Sequence, residues 1–222
     1  MKDTIVQVKG ERLRLLVDKA LYWPAARTLI IADLHLGKAM HFRKAGIAAP
    51  AGVEQENLDR LQRVVQRIRP REVLLLGDLF HSHWNGSWDA FVAVRRMHEG
   101  IAFTLITGNH DILHPDVYRR ADIGREAQRV SGPFVFTHHP DPHPHQYNVA
   151  GHIHPGVRMI GKARQSFTLP CYFFGAAAAI LPAFGGFTGV HVLRPTSGDR
   201  VFALTKNVVL RCMGPNMDNE TR

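Results

Sequence analysis

Only two of the 222 residues are cysteine, Cys171 and Cys212. Two thiols cannot build a disulfide framework, which excludes the small stapled secreted scaffolds and fits a reduced environment. Long apolar runs are also missing. The run at residues 176–181 is short and ends at Pro182, whereas a membrane-crossing helix needs about 20 apolar residues. No apolar signal segment follows Met1-Lys2-Asp3-Thr4, so the expected location is cytoplasmic. Internal repeats and linker-like stretches are absent. Acidic residues are scarce relative to basic ones: 19 Asp and Glu face 28 Lys and Arg, a formal charge of +9 and a pI near 10.1. Such an imbalance points to polyanionic partners. At 45% hydrophobic the chain can bury one substantial core. We expect a single domain over residues 1–213, with the polar segment 214–222 as a frayed tail.

The pattern predicts strands near residues 5–8, 12–17 and 27–33, helices over 38–45 and 53–68, and a strand at 72–77. A helix over 88–99 then leads to a strand ending at Thr107. Strand-like runs dominate afterwards, at 133–137, 146–150, 156–160, 171–174, 190–194 and 200–204. Strands alternating with helices, followed by strands alone, suit an α/β fold of two packed sheets flanked by helices.

What the chain has in quantity is histidine, 14 in all. Several fall into five short motifs: Asp33-Leu34-His35, Gly77-Asp78, Gly108-Asn109-His110-Asp111, His138, and Gly151-His152-Ile153-His154. All but the His138 motif follow an apolar run of strand character, and donors placed at strand ends can converge from distant parts of a chain. Their side chains are oxygen or imidazole-nitrogen donors, suited to manganese, iron or zinc and poor for copper(I). His152 and His154, two apart on an extended segment, should point the same way. One Asp-x-His among 14 histidines would carry little weight. Order, spacing and strand context together carry much more.

From Asp33 to His154 the set resembles the calcineurin-like metallophosphoesterases. The resemblance implies a four-layer sandwich of two mixed sheets flanked by helices. It also implies two divalent ions, manganese first and iron or zinc as alternatives, with a hydroxide between them attacking phosphorus. Asp33, His35 and His154 would hold one ion, and Asn109, His138 and His152 the other. Asp78 would bridge them, since a carboxylate offers one oxygen to each cation. His110 would protonate the leaving oxygen, with Asp111 orienting it. Asp111 reads equally well as a helix N-cap before Ile112-Leu113. Thr137-His138-His139-Pro140 offers two candidate ligands. Alignment with the end of Phe134-Val135-Phe136 favours His138 over His139.

A narrower resemblance is to the ligase-associated DNA damage response endonucleases of the PdeM type. It is carried by Ile31-Ala32-Asp33-Leu34-His35-Leu36-Gly37-Lys38, Gly77-Asp78-Leu79-Phe80-His81-Ser82, Gly151-His152-Ile153-His154-Pro155 and Leu181-Pro182-Ala183-Phe184. This implies a nuclease or phosphodiesterase acting on DNA in repair, beside a DNA ligase and a helicase. Lys38, Arg43 and Lys44 follow the first motif, Arg158, Lys162 and Arg164 the last, and His81, His83 and Trp84 the bridging aspartate. Lys38, Arg43, His81 and Arg158 are the candidate substrate contacts. On the 53–68 helix Leu58, Leu61, Val65 and Ile68 mark the core face. Arg60, Arg63 and Arg67, with i,i+4 partners Glu56 and Asp59, read as a solvated stripe. Residues 182–189, rich in glycine, suggest a tight turn or a wall of the site. A hydrolase of small nucleotides or phosphomonoesters remains the alternative. A non-catalytic scaffold would show eroded donor positions, and none is missing here.

Overall fold

The computed structural model describes residues 2–50, 52–80, 86–160 and 165–212; the expected tail at 214–222 lies outside them. The first sheet runs in the order β1 (Thr4–Val8), β2 (Glu11–Leu15), β3 (Leu21–Trp23), β4 (Thr28–Ile31), β5 (Glu72–Leu76), β6 (Ala102–Ile106) and β7 (Ile123–Glu126). Its first four strands form an antiparallel meander, and β4 to β7 are parallel. Parallel neighbours need crossover connections. Helices α1 (Lys38–Lys44) and α2 (Val53–Ile68) lie between β4 and β5, α3 (Ser87–Arg96) between β5 and β6, and α4 (Pro115–Arg120) between β6 and β7.

Because strand side chains alternate, each central strand feeds two cores. Leu29, Ile31, Val73, Leu75, Phe103 and Leu105 pack with Leu58, Leu61, Val65, Phe91 and Tyr118 of the helices. The intervening Ile30, Leu74, Leu76 and Ile106 meet the second sheet. Burial on both faces explains why these strands read as continuous apolar runs.

The second sheet comprises β8 (Arg129–Ser131), β9 (Phe134–Thr137), β10 (Tyr147–Ala150), β11 (Pro155–Ile160), β12 (Ser166–Phe174), β13 (Ala178–Ile180), β14 (His191–Val192), β15 (Arg200–Leu204) and β16 (Val209–Cys212). Its spatial order is β14-β11-β12-β13-β10-β9-β8, with β15 pairing to both β12 and β16. Phe134, Phe136, Tyr147, Val149, Tyr172 and Phe202 form its side of the core between the sheets. A smaller cluster, Val157, Cys171, Val201 and Ala203, closes its other face. Both cysteines are free, and burial pushes the Cys171 thiol up to about 12. No helix among the described residues is long and apolar enough to cross a membrane.

Two packed mixed sheets with helices are thus the architecture, and the differences from the expected elements are local. β3, β7, β8, β13, β16 and α4 were not anticipated. Each is six residues or fewer, and β7 and β8 carry charged residues where the expected central strands have continuous apolar runs. Arg129 ties β8 to its surroundings, reaching Glu72 in β5, Thr104 in β6 and Glu126 in β7.

The stripe on α2 is a solvated face at Arg63 and Arg67, which are exposed, but not at Arg60. Arg60 lies over the Phe184 ring at 4.4 Å and donates to Asn57 Oδ1 at 2.8 Å and to the Phe184 carbonyl. Burial brings its pKa down to about 10. Arg67 pairs with Asp3 and Asp18. Asn57 Oδ1 also accepts from the Gly186 amide at 2.9 Å, and Lys19 Nζ donates to the Gly185 carbonyl at 3.4 Å. Residues 183–186 run beside the end of β4, bridged at Ala32 and Ala183, with the Phe184 and Gly185 amides donating to Ala32 and Asp33. The glycine-rich stretch is therefore a wall built against the first motif rather than a simple turn. Replacing Arg60 with Ala should cost about 2–3 kcal/mol in urea unfolding, as expected for buried hydrogen bonds from a charged group. A solvated arginine would change stability by less than about 0.5 kcal/mol.

Candidate metal centre

All the motifs lie at the carboxyl ends of strands or in the loops that follow. Asp33 and His35 follow β4, Asp78 follows β5, Asn109 and His110 follow β6, His138 follows β9, and His152 and His154 follow β10. The structure brings Asp33, His35, Asp78, Asn109, His138, His152 and His154 together. Asp33, His35, Asp78, His152 and His154 have φ between 49° and 66°, the left-handed region that side chains rarely adopt. Each such residue costs on the order of 1 kcal/mol, and such strain gathers at functional sites.

Glycines make room for the donors. A Cβ on Gly77 would lie 2.2 Å from His138 Nδ1, one on Gly108 2.5 Å from Asp78 Oδ1, and one on Gly151 2.6 Å from Asp33 Oδ2. Each glycine of these motifs thus clears space for a donor from another motif.

His35 Nε2 and His154 Nε2 are 3.2 Å apart, and His154 Nε2 lies 3.6 Å from Asp33 Oδ1. At the other end His138 Nε2 lies 3.2 Å from His152 Nδ1 and 3.0 Å from Asn109 Oδ1. Asp78 stands between the two groups, with Oδ2 3.7 Å from His35 Nε2 and Oδ1 3.4 Å from His138 Nε2. His138 Nδ1 faces the Leu76 carbonyl at 2.9 Å, a contact that demands a proton on Nδ1. Neutral His138 therefore presents a bare Nε2 to the centre. Burial, then the neighbouring His139 and His138, lowers the His152 pKa and favours its neutral, lone-pair form.

These residues fit divalent cations. Two imidazole nitrogens at 3.2 Å cannot share more than one proton, yet here two such pairs converge. Asp33 Oδ1 is buried and accepts no hydrogen bond from the described residues. A buried carboxylate oxygen facing imidazole lone pairs is costly unless a cation lies among them.

His110 is half-buried, its amide donates to Asp78 Oδ1 at 3.0 Å, and its ring meets that of His35 edge-on at 5.7 Å. Asp111 is buried and is not a helix N-cap: the next helix begins at Pro115, capped by His114. Its carboxylate accepts from the amides of Leu79, Phe80 and Gly108, joining the loop after β5 to the loop after β6. Burial raises its pKa to about 6. Lys38 is half-buried near the centre, its pKa lowered by burial while Asp78 and Asp33 oppose the shift. Arg43 is exposed on α1, and Arg158 on β11 donates to Ser166 Oγ at 3.1 Å. His81, His83, Trp84, Lys162 and Arg164 lie outside the described residues. His139 joins the group as well, its ring 3.9 Å from that of His152 and 4.8 Å from that of His138.

A sequence profile of the calcineurin-like phosphoesterases matches residues 26–154, more than half of the chain, and the protein belongs to that family of metal-dependent hydrolases. Within the solved structures it is similar to the nuclease MPE of Pseudomonas putida, with 32% identity over 95% of this chain and 100% of that one and a TM-score of 0.81. More distant similarity links it to the protein of unknown function AQ665 from Aquifex aeolicus, at 16% identity over 57% of this chain and 78% of that one, TM-score 0.43. The E. coli phosphoesterase Yfce is 11% identical over 82% and 95%, with a TM-score of 0.44. No match was found among curated protein sequences.

Gly77→Ala should displace His138 and lower bound metal, measured by elemental analysis of the folded protein. Gly10→Ala is the control. Gly10 has the same left-handed backbone, φ 84° against 76°, but open space around its Cβ. It should lose about 1 kcal/mol of stability and no metal.

Proposed function

We propose that the protein is a two-metal phosphodiesterase that cleaves the DNA backbone. The observation carrying this proposal is that the two oxygens of Asp78 face different histidine groups, Oδ2 toward His35 and Oδ1 toward His138. Asp33, His35 and His154 would hold one ion and Asn109, His138 and His152 the other, with Asp78 shared. Manganese is the ion we propose, with iron or zinc as alternatives, since the mixed oxygen and imidazole donors accept all three. Bound there, two such ions lower the pKa of water to give a nucleophile at neutral pH and neutralise the phosphoryl oxygens.

The chain's own groups do the rest. His110 lies beside the centre, where it can give a proton to the leaving oxygen, and Asp78 fixes its amide. Asp111 holds the 108–111 turn from beneath and so sets where His110 stands. Lys38 offers a cation to a phosphate entering beside Asp33 and Asp78. The excess of basic residues and the 32% identity to a nuclease support DNA over smaller esters. A repair setting beside a DNA ligase and a helicase is the partner context we propose from the same kinship.

Asp78→Ala should lose both metal and turnover. His110→Ala should keep its metal and lose roughly 10²–10⁴-fold on DNA, but less on an activated aryl phosphodiester, whose leaving group needs little protonation. Full activity of His110→Ala on DNA would exclude the acid role.

Binding of single- and double-stranded DNA should weaken with salt, by a logarithmic slope of about −0.7 to −0.9 per phosphate contacted. Replacing Arg43 and Arg158 together should flatten that slope while sparing aryl diester hydrolysis, whereas Lys38→Ala should weaken both. Undetectable DNA binding at low salt, with good turnover of an aryl monoester, would overturn the DNA assignment in favour of a small phosphate ester.

A further inference from the structure

One group of donors exceeds what the seven residues above require. His138, His139 and His152 each bring a ring nitrogen within 4.8 Å of the other two. We propose that His139 is an additional nitrogen donor to the ion held by His138 and His152. This end of the centre then carries three imidazoles, against two imidazoles and a carboxylate at the other. The proposal rests on the two-metal reading and adds a residue to it.

The backbone of His139 is pinned for this purpose. Thr137 Oγ1 donates to the His139 carbonyl at 2.6 Å and accepts from Asn148 Nδ2 at 2.8 Å. Asn148 is fully buried on β10. Its Nδ2 also donates to the Val135 carbonyl at 3.2 Å, and its Oδ1 accepts from the Asp141 amide at 3.0 Å. The turn is therefore held on both sides of His139, and Pro140 confines the backbone before it. Within that fixed turn the ring stands exposed at the mouth of the centre. Nitrogen donors lie about 2.0–2.1 Å from zinc, so two on one ion are about 3–4 Å apart. The three donor atoms already lie within 4.8 Å of one another, so a small adjustment of the exposed His139 ring would bring its nitrogen into that range.

The added imidazole makes the two ends chemically unequal. Imidazole suits zinc and iron, whereas carboxylate and carbonyl oxygens suit manganese. The end with His138, His139 and His152 should retain zinc most tightly, and the end with Asp33, His35 and His154 should exchange it for manganese more readily.

The test is zinc titration of the full-length protein under chelator competition, comparing wild type with His139→Ala and His139→Phe. Because the side chain is exposed, neither substitution threatens the fold. The phenyl ring keeps the packing against His152 and removes the nitrogen. Both variants should bind one zinc with wild-type affinity and the other at least about tenfold more weakly. Cobalt(II)-loaded protein should show an altered visible spectrum in both. Unchanged affinities would overturn the His139 assignment alone, and so would recovery in the phenylalanine variant, which would make the ring a packing surface. A wild-type protein holding fewer than two ions would overturn it together with the two-metal reading.

Discussion

The contact between His138 Nδ1 and the Leu76 carbonyl joins the two sheets where the centre forms. Leu76 ends β5 in the first sheet, and His138 follows β9 in the second. The contact fixes the imidazole tautomer, sets the distance between the strand ends, and turns Nε2 toward Asp78 and Asn109. It is possible only because Gly77 has no side chain, and it is backed by aromatic packing of Trp23 against Phe134 at 5.0 Å between the sheets. Donors from β4 and β10 meet across the same seam, where the His152 amide donates to Asp33 Oδ2 at 2.9 Å.

Much of this was legible because the central strands are buried on both faces. Continuous apolar runs located β4, β5 and β6, and each run pointed at its motif. His138 was found in the same way, from the end of Phe134-Val135-Phe136. Other features depend on partners far away in the chain. Arg60 looks like any helical surface arginine until residues 183–186 close over it, more than 120 positions later. Asp111 resembled a cap because it precedes apolar residues, but its hydrogen bonds run to a loop thirty residues earlier. The left-handed backbone at five donor positions has no local sequence signature, since none of the five is glycine.

The charge excess also looks different in three dimensions. Arg95 pairs with Asp122, Arg129 with Glu72 and Glu126, and Arg67 with Asp3 and Asp18, while Arg60 is spent on the wall. These cations hold elements together and are not free to meet a polyanion, although the acids that pair with them leave the net positive excess undiminished. Lys38 gains importance accordingly, because its position near two carboxylates ties it to the centre.

The wide sequence spacing of the donors has a consequence for the life of the protein. Residues 33 and 154 belong to different sheets, so the binding site exists only after the whole chain has folded and the sheets have docked. Contacts of such long range slow folding. An ion that binds only the finished structure pulls the equilibrium toward it by mass action. With metal held there as proposed, supply would govern abundance as well as turnover: a chain that met no ion would spend longer open to proteases, and scarcity would be read out as fewer molecules rather than as idle ones.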